Sequence, residues 1–187
     1  MISDMPCSGG FLPDRGGCHR IIRDSVVAAI PIPRDNRVPV STREFLTDSD
    51  DATIALGRRL AAEARAPLLI LLSGDMGAGK TTLAKGFISG LGVAAEEEIT
   101  SPTFTLVHQY GQPPWVFHVD LYRIEGSRDI DTLGLDDLWE REAIMLIEWG
   151  EKARGLFPRS HGGPRWEIRF EDLGGDRRRI YLEPIGG

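Results

Sequence analysis

A chain of 187 residues, 41% of them apolar, is long enough for one domain with a buried core. Its net charge of −6 excludes a general attraction to nucleic acid or anionic lipid, so any work on RNA would leave the phosphate contacts to a more basic partner. The longest unbroken aliphatic run, Leu68 to Leu72, is far too short to span a bilayer, and Pro31 and Pro33 break the nearest approach to a leader sequence; a cytoplasmic protein with no membrane contact is expected.

Residues 1–40 are rich in Gly, Pro and Arg without sustained periodicity, and read as a disordered or mis-assigned extension. Both cysteines, Cys7 and Cys18, lie there and are expected to be free thiols. The remainder, 41–187, reads as one domain. "VPVSTREFL" predicts a short strand, and "TDSDD" offers Asp48 or Ser49 as the cap of a helix over 52–65, with Ala52, Leu56 and Leu60 on one face. "PLLILL" suits a strand buried on both sides, as in a parallel sheet. A Gly-rich loop follows, then a helix from Lys80 stopped by Gly92. "FTLVHQY" and "VFHVDLY" predict a hairpin around "GQPPW". Residues 126–143 read as one or two short helices with Ser127 as a cap, and "AIMLIEW" as another buried strand. "GEKARGLF" reads as a short helix ended by Pro158, and "RWEIRFE" and "RRIYLE" as a C-terminal hairpin. Strands alternating with helices predict an α/β fold: a single P-loop NTPase domain whose mixed parallel and antiparallel sheet is flanked by helices.

Gly74 to Thr81, "GDMGAGKT", fits G-x-x-x-x-G-K-[S/T] between a buried strand and a helix. Its glycines let backbone N–H groups converge on an anion, and the helix behind them adds a favourable dipole. Lys80 is placed to reach the β- and γ-phosphates, and Thr81 offers a hydroxyl to Mg²⁺. The lysines are Lys80, Lys85 and Lys152, none followed by x-D, and Asn36 lies upstream of the loop. The guanine-reading N/T-K-x-D element is therefore missing, which favours ATP; "DTLG" fits D-x-x-G but ends no strand.

A metal bridging those phosphates needs a carboxylate at a neighbouring strand end. Two are available: Glu148 closing "AIMLIE", and Asp120 closing "VFHVD". Between the loop helix and the first hairpin strand, Pro102 forbids a helix. That segment should be extended and exposed, with Thr103 able to close on the γ-phosphate.

Together, "GDMGAGKTT", "SPTFTLV", "HVDLYR" and "IEWGEK" resemble the TsaE (YjeE-type) ATPases in order and spacing, from about Glu44 to the end of the chain. The resemblance implies an accessory role in making threonylcarbamoyladenosine on tRNA. A TsaC-type enzyme would make threonylcarbamoyl-AMP and a TsaB–TsaD heterodimer would transfer the group. This chain would bind that heterodimer and hydrolyse ATP to sustain turnover, touching tRNA only indirectly. Carried over by position, Gly77, Ala78, Gly79, Lys80, Thr81 and Thr82 would hold ATP, and Thr81 and Glu148 would hold Mg²⁺. Asp120 would serve hydrolysis by ordering water or the metal shell, with Lys80 at the phosphates and Thr103 in a switch-like segment. Arg177, in the "GGDRR" turn, would approach the nucleotide. Trp149 would be packing or a partner contact. A small-molecule P-loop kinase is the alternative, although no Arg-rich lid stands out; a non-catalytic nucleotide-dependent interaction module is a third reading.

Overall fold

The computed structural model describes residues 41–112, 116–125, 133–139, 143–154 and 163–185. The expected extension over 1–40, the Ser127 cap and the Pro158 helix end lie outside them. Seven strands form one sheet among the described residues: β1 (Arg43–Thr47), β2 (Leu68–Ser73), β3 (Val107–Tyr110), β4 (Val116–Asp120), β5 (Ile144–Glu148), β6 (Arg165–Asp172) and β7 (Arg178–Ile185), in the order β1-β7-β6-β2-β5-β4-β3. The helices are α1 (Asp50–Glu63), α2 (Lys80–Gly90) and α3 (Leu135–Trp139).

The four central strands, β6, β2, β5 and β4, are parallel, while the β1–β7, β6–β7 and β3–β4 pairs are antiparallel. "PLLILL" is apolar throughout because β2 is covered on both sides. Leu68, Ile70 and Leu72 join the core under α1 and α2; Leu69 and Leu71 face the opposite layer with Phe117, Val119, Met145 and Ile147.

Ser49 caps α1, its side chain accepting the Ala52 N–H at 3.1 Å, and Asp50 and Asp51 complement the dipole in the first turn. Leu56 and Leu60 are buried on the expected face, each contributing about 1.5–3 kcal/mol of apolar burial, but Ala52 is half-buried and Thr53 takes its place in the core. The Thr53 hydroxyl is satisfied there by Thr47 Oγ1 at 2.9 Å and by the Ser49 carbonyl at 3.0 Å. Against α1, Gly86 of α2 brings the helices together so closely that a Cβ on it would stand 2.1 Å from the Ile54 carbonyl oxygen.

Two expected boundaries move. The segment 101–106 is not extended throughout. Pro102 is buried, and its carbonyl accepts the Leu106 N–H in a turn, so the strand expected from Phe104 starts at Val107. The turn follows from side-chain hydrogen bonds made by Ser101 and Thr103, which draw the chain inward. The first strand likewise starts at Arg43, where antiparallel pairing with β7 begins.

Candidate nucleotide and metal site

The parallel strands set the site by their register. Leu72 of β2 is paired with Glu148 of β5, and Glu148 with Asp120 of β4, so three strand ends finish level. The phosphate loop leaves β2 at that edge, and α2 starts from it. Ligands in open α/β sheets bind at such carboxyl ends. Because side chains alternate along a strand, His118 and Asp120 share one face of β4, and Leu146 and Glu148 share the same face of β5. That face is the one covered by α2.

Between them lies a cavity of about 350 Å³ lined by Gly77, Gly79, Lys80, Thr81, Thr82, Ser101, Thr103, Asp120, Glu148 and Trp149, with Met76 and Tyr122 alongside. Of the residues singled out in the sequence, Ala78 is buried in the core just behind the loop. Arg177 is not among the lining residues; its guanidinium donates to the Leu173 carbonyl at 3.3 Å within its own hairpin. The next residue, Arg178, reaches the loop instead. It is ion-paired with Asp50 at 2.7 Å and lies so close to Gly79 that a Cβ there would stand 2.7 Å from Nε. Gly79 also has φ +99, in the left-handed region that glycine adopts freely.

No side chain caps α2 at Gly79, so the amides of its first turn are left for a ligand, the usual preparation for an anion. Lys80 is 4% exposed; its Nζ donates to the Gly74 and Asp75 carbonyls, each at 2.7 Å, and lies 4.2 Å from the centre of the Trp149 ring. Two of its three donors are thus spent holding the loop, and one remains. Burial lowers the Lys80 pKa from its ordinary value, against the opposing pull of Glu148, Glu151, Asp120 and Asp75. Trp149 adopts a left-handed backbone, φ 60°, immediately after Glu148, at a cost of about 1–3 kcal/mol, and also meets the Tyr122 ring at 5.2 Å.

The two carboxylates are bound differently. Glu148 accepts the Thr81 hydroxyl at 2.8 Å on Oε1 and 2.9 Å on Oε2, and its Oε1 lies 2.9 Å from His118 Nε2. Asp120 accepts the Ser101 and Thr103 hydroxyls on Oδ2, both at 2.6 Å, and the Tyr122 N–H on Oδ1 at 2.9 Å. Burial alone would raise the Asp120 pKa, but hydrogen bonds from Ser101, Thr103 and the Tyr122 amide hold it below its ordinary value. Lys152 fixes the chain beyond Asp120 by donating to the Leu121, Tyr122 and Ile124 carbonyls at 2.7–2.9 Å.

Sequence reasoning missed Ser101, His118 and Arg178. The H-x-D spacing of "HVD" on a strand was the available signal for His118, and the S-x-T spacing for Ser101.

A mixed sheet with a phosphate loop between β2 and α2 and acids on the neighbouring strand ends places this chain in the P-loop class of α/β proteins. Comparison with known proteins narrows it. The family model for the threonylcarbamoyl adenosine biosynthesis protein TsaE matches residues 47–180, and the chain belongs to that family. It is 45% identical over 136 residues to the tRNA threonylcarbamoyladenosine biosynthesis protein TsaE of Streptomyces coelicolor, covering 71% of this chain and 79% of that one. The Haemophilus influenzae protein of the same name is 39% identical over 92 residues, 49% of this chain and 57% of that relative's length. The crystal structure of Bacillus subtilis YdiB superposes with a TM-score of 0.61 at 30% identity, covering 79% of this chain and 88% of that one. Among the described residues no helix is long and apolar enough to cross a membrane.

Proposed function

We propose that this protein binds ATP with Mg²⁺ and hydrolyses it as a cytoplasmic accessory of tRNA threonylcarbamoyladenosine formation, acting on a TsaB–TsaD heterodimer. The observation that carries the reading is the convergence of Lys80, Thr81 and Glu148 with the Asp120–Ser101–Thr103 cluster on one cavity. The amides of Gly77 to Thr82 hold the phosphates, and the remaining Lys80 donor meets the β- and γ-phosphate oxygens.

Thr81 and Glu148 hold the cation. Their donors are hard oxygens, and the described residues contain no group of three or more His, Cys, Asp or Glu able to cage a metal. That suits Mg²⁺, which takes one or two carboxylates and completes its shell with phosphate and water. A Mg²⁺ ion held there would offset the negative charge of the β- and γ-phosphates. Asp120 ties the 101–103 segment to the end of β4; in this reading it would serve hydrolysis by ordering water or the metal shell, with Thr103 beside it in a switch-like segment.

Two features favour a partner at the cavity mouth. Met76, which lines the cavity, is 66% exposed, and Phe104, next to Thr103, is 81% exposed with the Arg123 guanidinium 4.0 Å from the centre of its ring, so two large apolar side chains near the site are open to a partner. The net charge of −6 argues that tRNA is held by that partner. Phosphate release from ATP, measured with and without the heterodimer, tests the reading: a slow basal rate raised by the heterodimer is expected, alongside only non-specific tRNA binding in a gel shift. A rate indifferent to the heterodimer, or tight tRNA binding by this chain alone, would contradict it.

A further inference from the structure

His118 is fully buried on β4, opposite Leu146. Its Nε2 lies 2.9 Å from Glu148 Oε1, while its Nδ1 has no partner among the described residues. A valine or leucine would fill a strand position of this kind without leaving a polar atom unmet, so the imidazole is costly as packing alone. What it gains is the single contact to Glu148. Facing a carboxylate, Nε2 carries the proton and donates, which leaves Nδ1 as a bare acceptor.

Glu148 needs such a contact. A glutamate has one more rotatable bond than an aspartate, and its freedom must be removed before the carboxylate presents one face to a cation. Thr81 touches both oxygens and so does not distinguish them, whereas His118 takes only Oε1. We propose that His118 is a positioning residue of the cation site: its Nε2–H fixes Oε1, so that the carboxylate is already turned to Thr81 before a cation binds. Partners of this kind, behind the groups that touch a metal, typically change metal affinity by about 10–100-fold. The proposal rests on reading the cavity as a cation–nucleotide site.

The test uses the full chain, with Mn²⁺ as a paramagnetic substitute titrated in the presence of ADP, and ADP affinity measured separately in EDTA. In His118→Gln the amide nitrogen reaches about as far as Nε2; in His118→Asn it reaches only as far as Nδ1. We expect His118→Gln to retain most of the Mn²⁺ affinity and His118→Asn to lose about 10–100-fold, with ADP binding in EDTA unchanged in both. If His118→Asn is too unstable to measure, His118→Phe, which keeps a ring and loses the donor, carries the same expectation. Equal Mn²⁺ affinities in the Gln variant and the donor-lacking variant, or an equal loss in EDTA, would overturn the positioning role. Failure of the wild-type chain to bind Mn²⁺ with ADP would instead overturn the nucleotide reading, and this role with it.

Discussion

The two halves of the cavity are built in opposite ways. The phosphate-loop half is made by eight consecutive residues, Gly74 to Thr81, whose backbone supplies most of the polar groups and whose own carbonyls hold the Lys80 ammonium. The acidic half is made by side chains from β4, β5 and the 101–103 segment, brought together by strand pairing across long stretches of chain. One half is therefore a local object that depends on a single strand–helix junction. The other exists only when the sheet is in register, because a one-residue slip of β4 would send both His118 and Asp120 to the opposite face. On the proposed reading this is a division of labour: the loop would fix where the phosphates lie, and the sheet would set what happens beside them.

That division predicts different failures on each side. The largest effect is expected in the acidic half. Asp120→Ala should spare ATP binding and slow hydrolysis by about 10²–10⁴-fold, measured as phosphate release at saturating ATP. Loss of nucleotide affinity in this variant would show that Asp120 belongs to the binding half. In the loop half, Lys80→Ala removes a charge-assisted contact worth about 1.5–3 kcal/mol, an affinity loss of roughly 10–150-fold by calorimetry. Unchanged affinity would remove the loop from the account.

The smallest effect concerns stability. The Asp120 carboxyl lies below its ordinary pKa of 3.8, so its hydrogen bonds contribute fully above that pH and their contribution is lost as pH falls through the lower folded-state value. Ser101→Ala should cost about 1.5 kcal/mol at neutral pH, at the lower end for a bond to a charged group, since Thr103 still donates to the same oxygen. Denaturant melts should show the gap to wild type closing below pH 3.8. A gap constant with pH would mean that the serine stabilises the loop by some other contact.

The same contrast explains what could be read from the sequence. The loop, β2, α2 and the strand-end acids Asp120 and Glu148 were legible, because each is carried by a local pattern of glycine spacing or apolar runs. Ser101 and His118 were not, since their importance depends on which residues stand opposite them once β4 pairs with β5. Arg177 and Arg178 differ by one position in a hairpin; Arg177 belongs to the turn, whereas Arg178 is the first paired residue of β7 and lies against Gly79, a boundary invisible without the register. The turn at 103–106 was missed because hydrogen bonding to Asp120 overrides the extended preference set by Pro102.

The most direct test of the central claim, that the two halves form one Mg²⁺-dependent ATP site, is calorimetric binding of a non-hydrolysable ATP analogue in EDTA and in Mg²⁺, for wild type and for Glu148→Ala. The account predicts measurable binding in EDTA from the loop half, tightened by Mg²⁺ in wild type, with only the tightening lost in Glu148→Ala. Equal affinity in EDTA and Mg²⁺ for the wild-type chain, or a full Mg²⁺ effect surviving in Glu148→Ala, would contradict it.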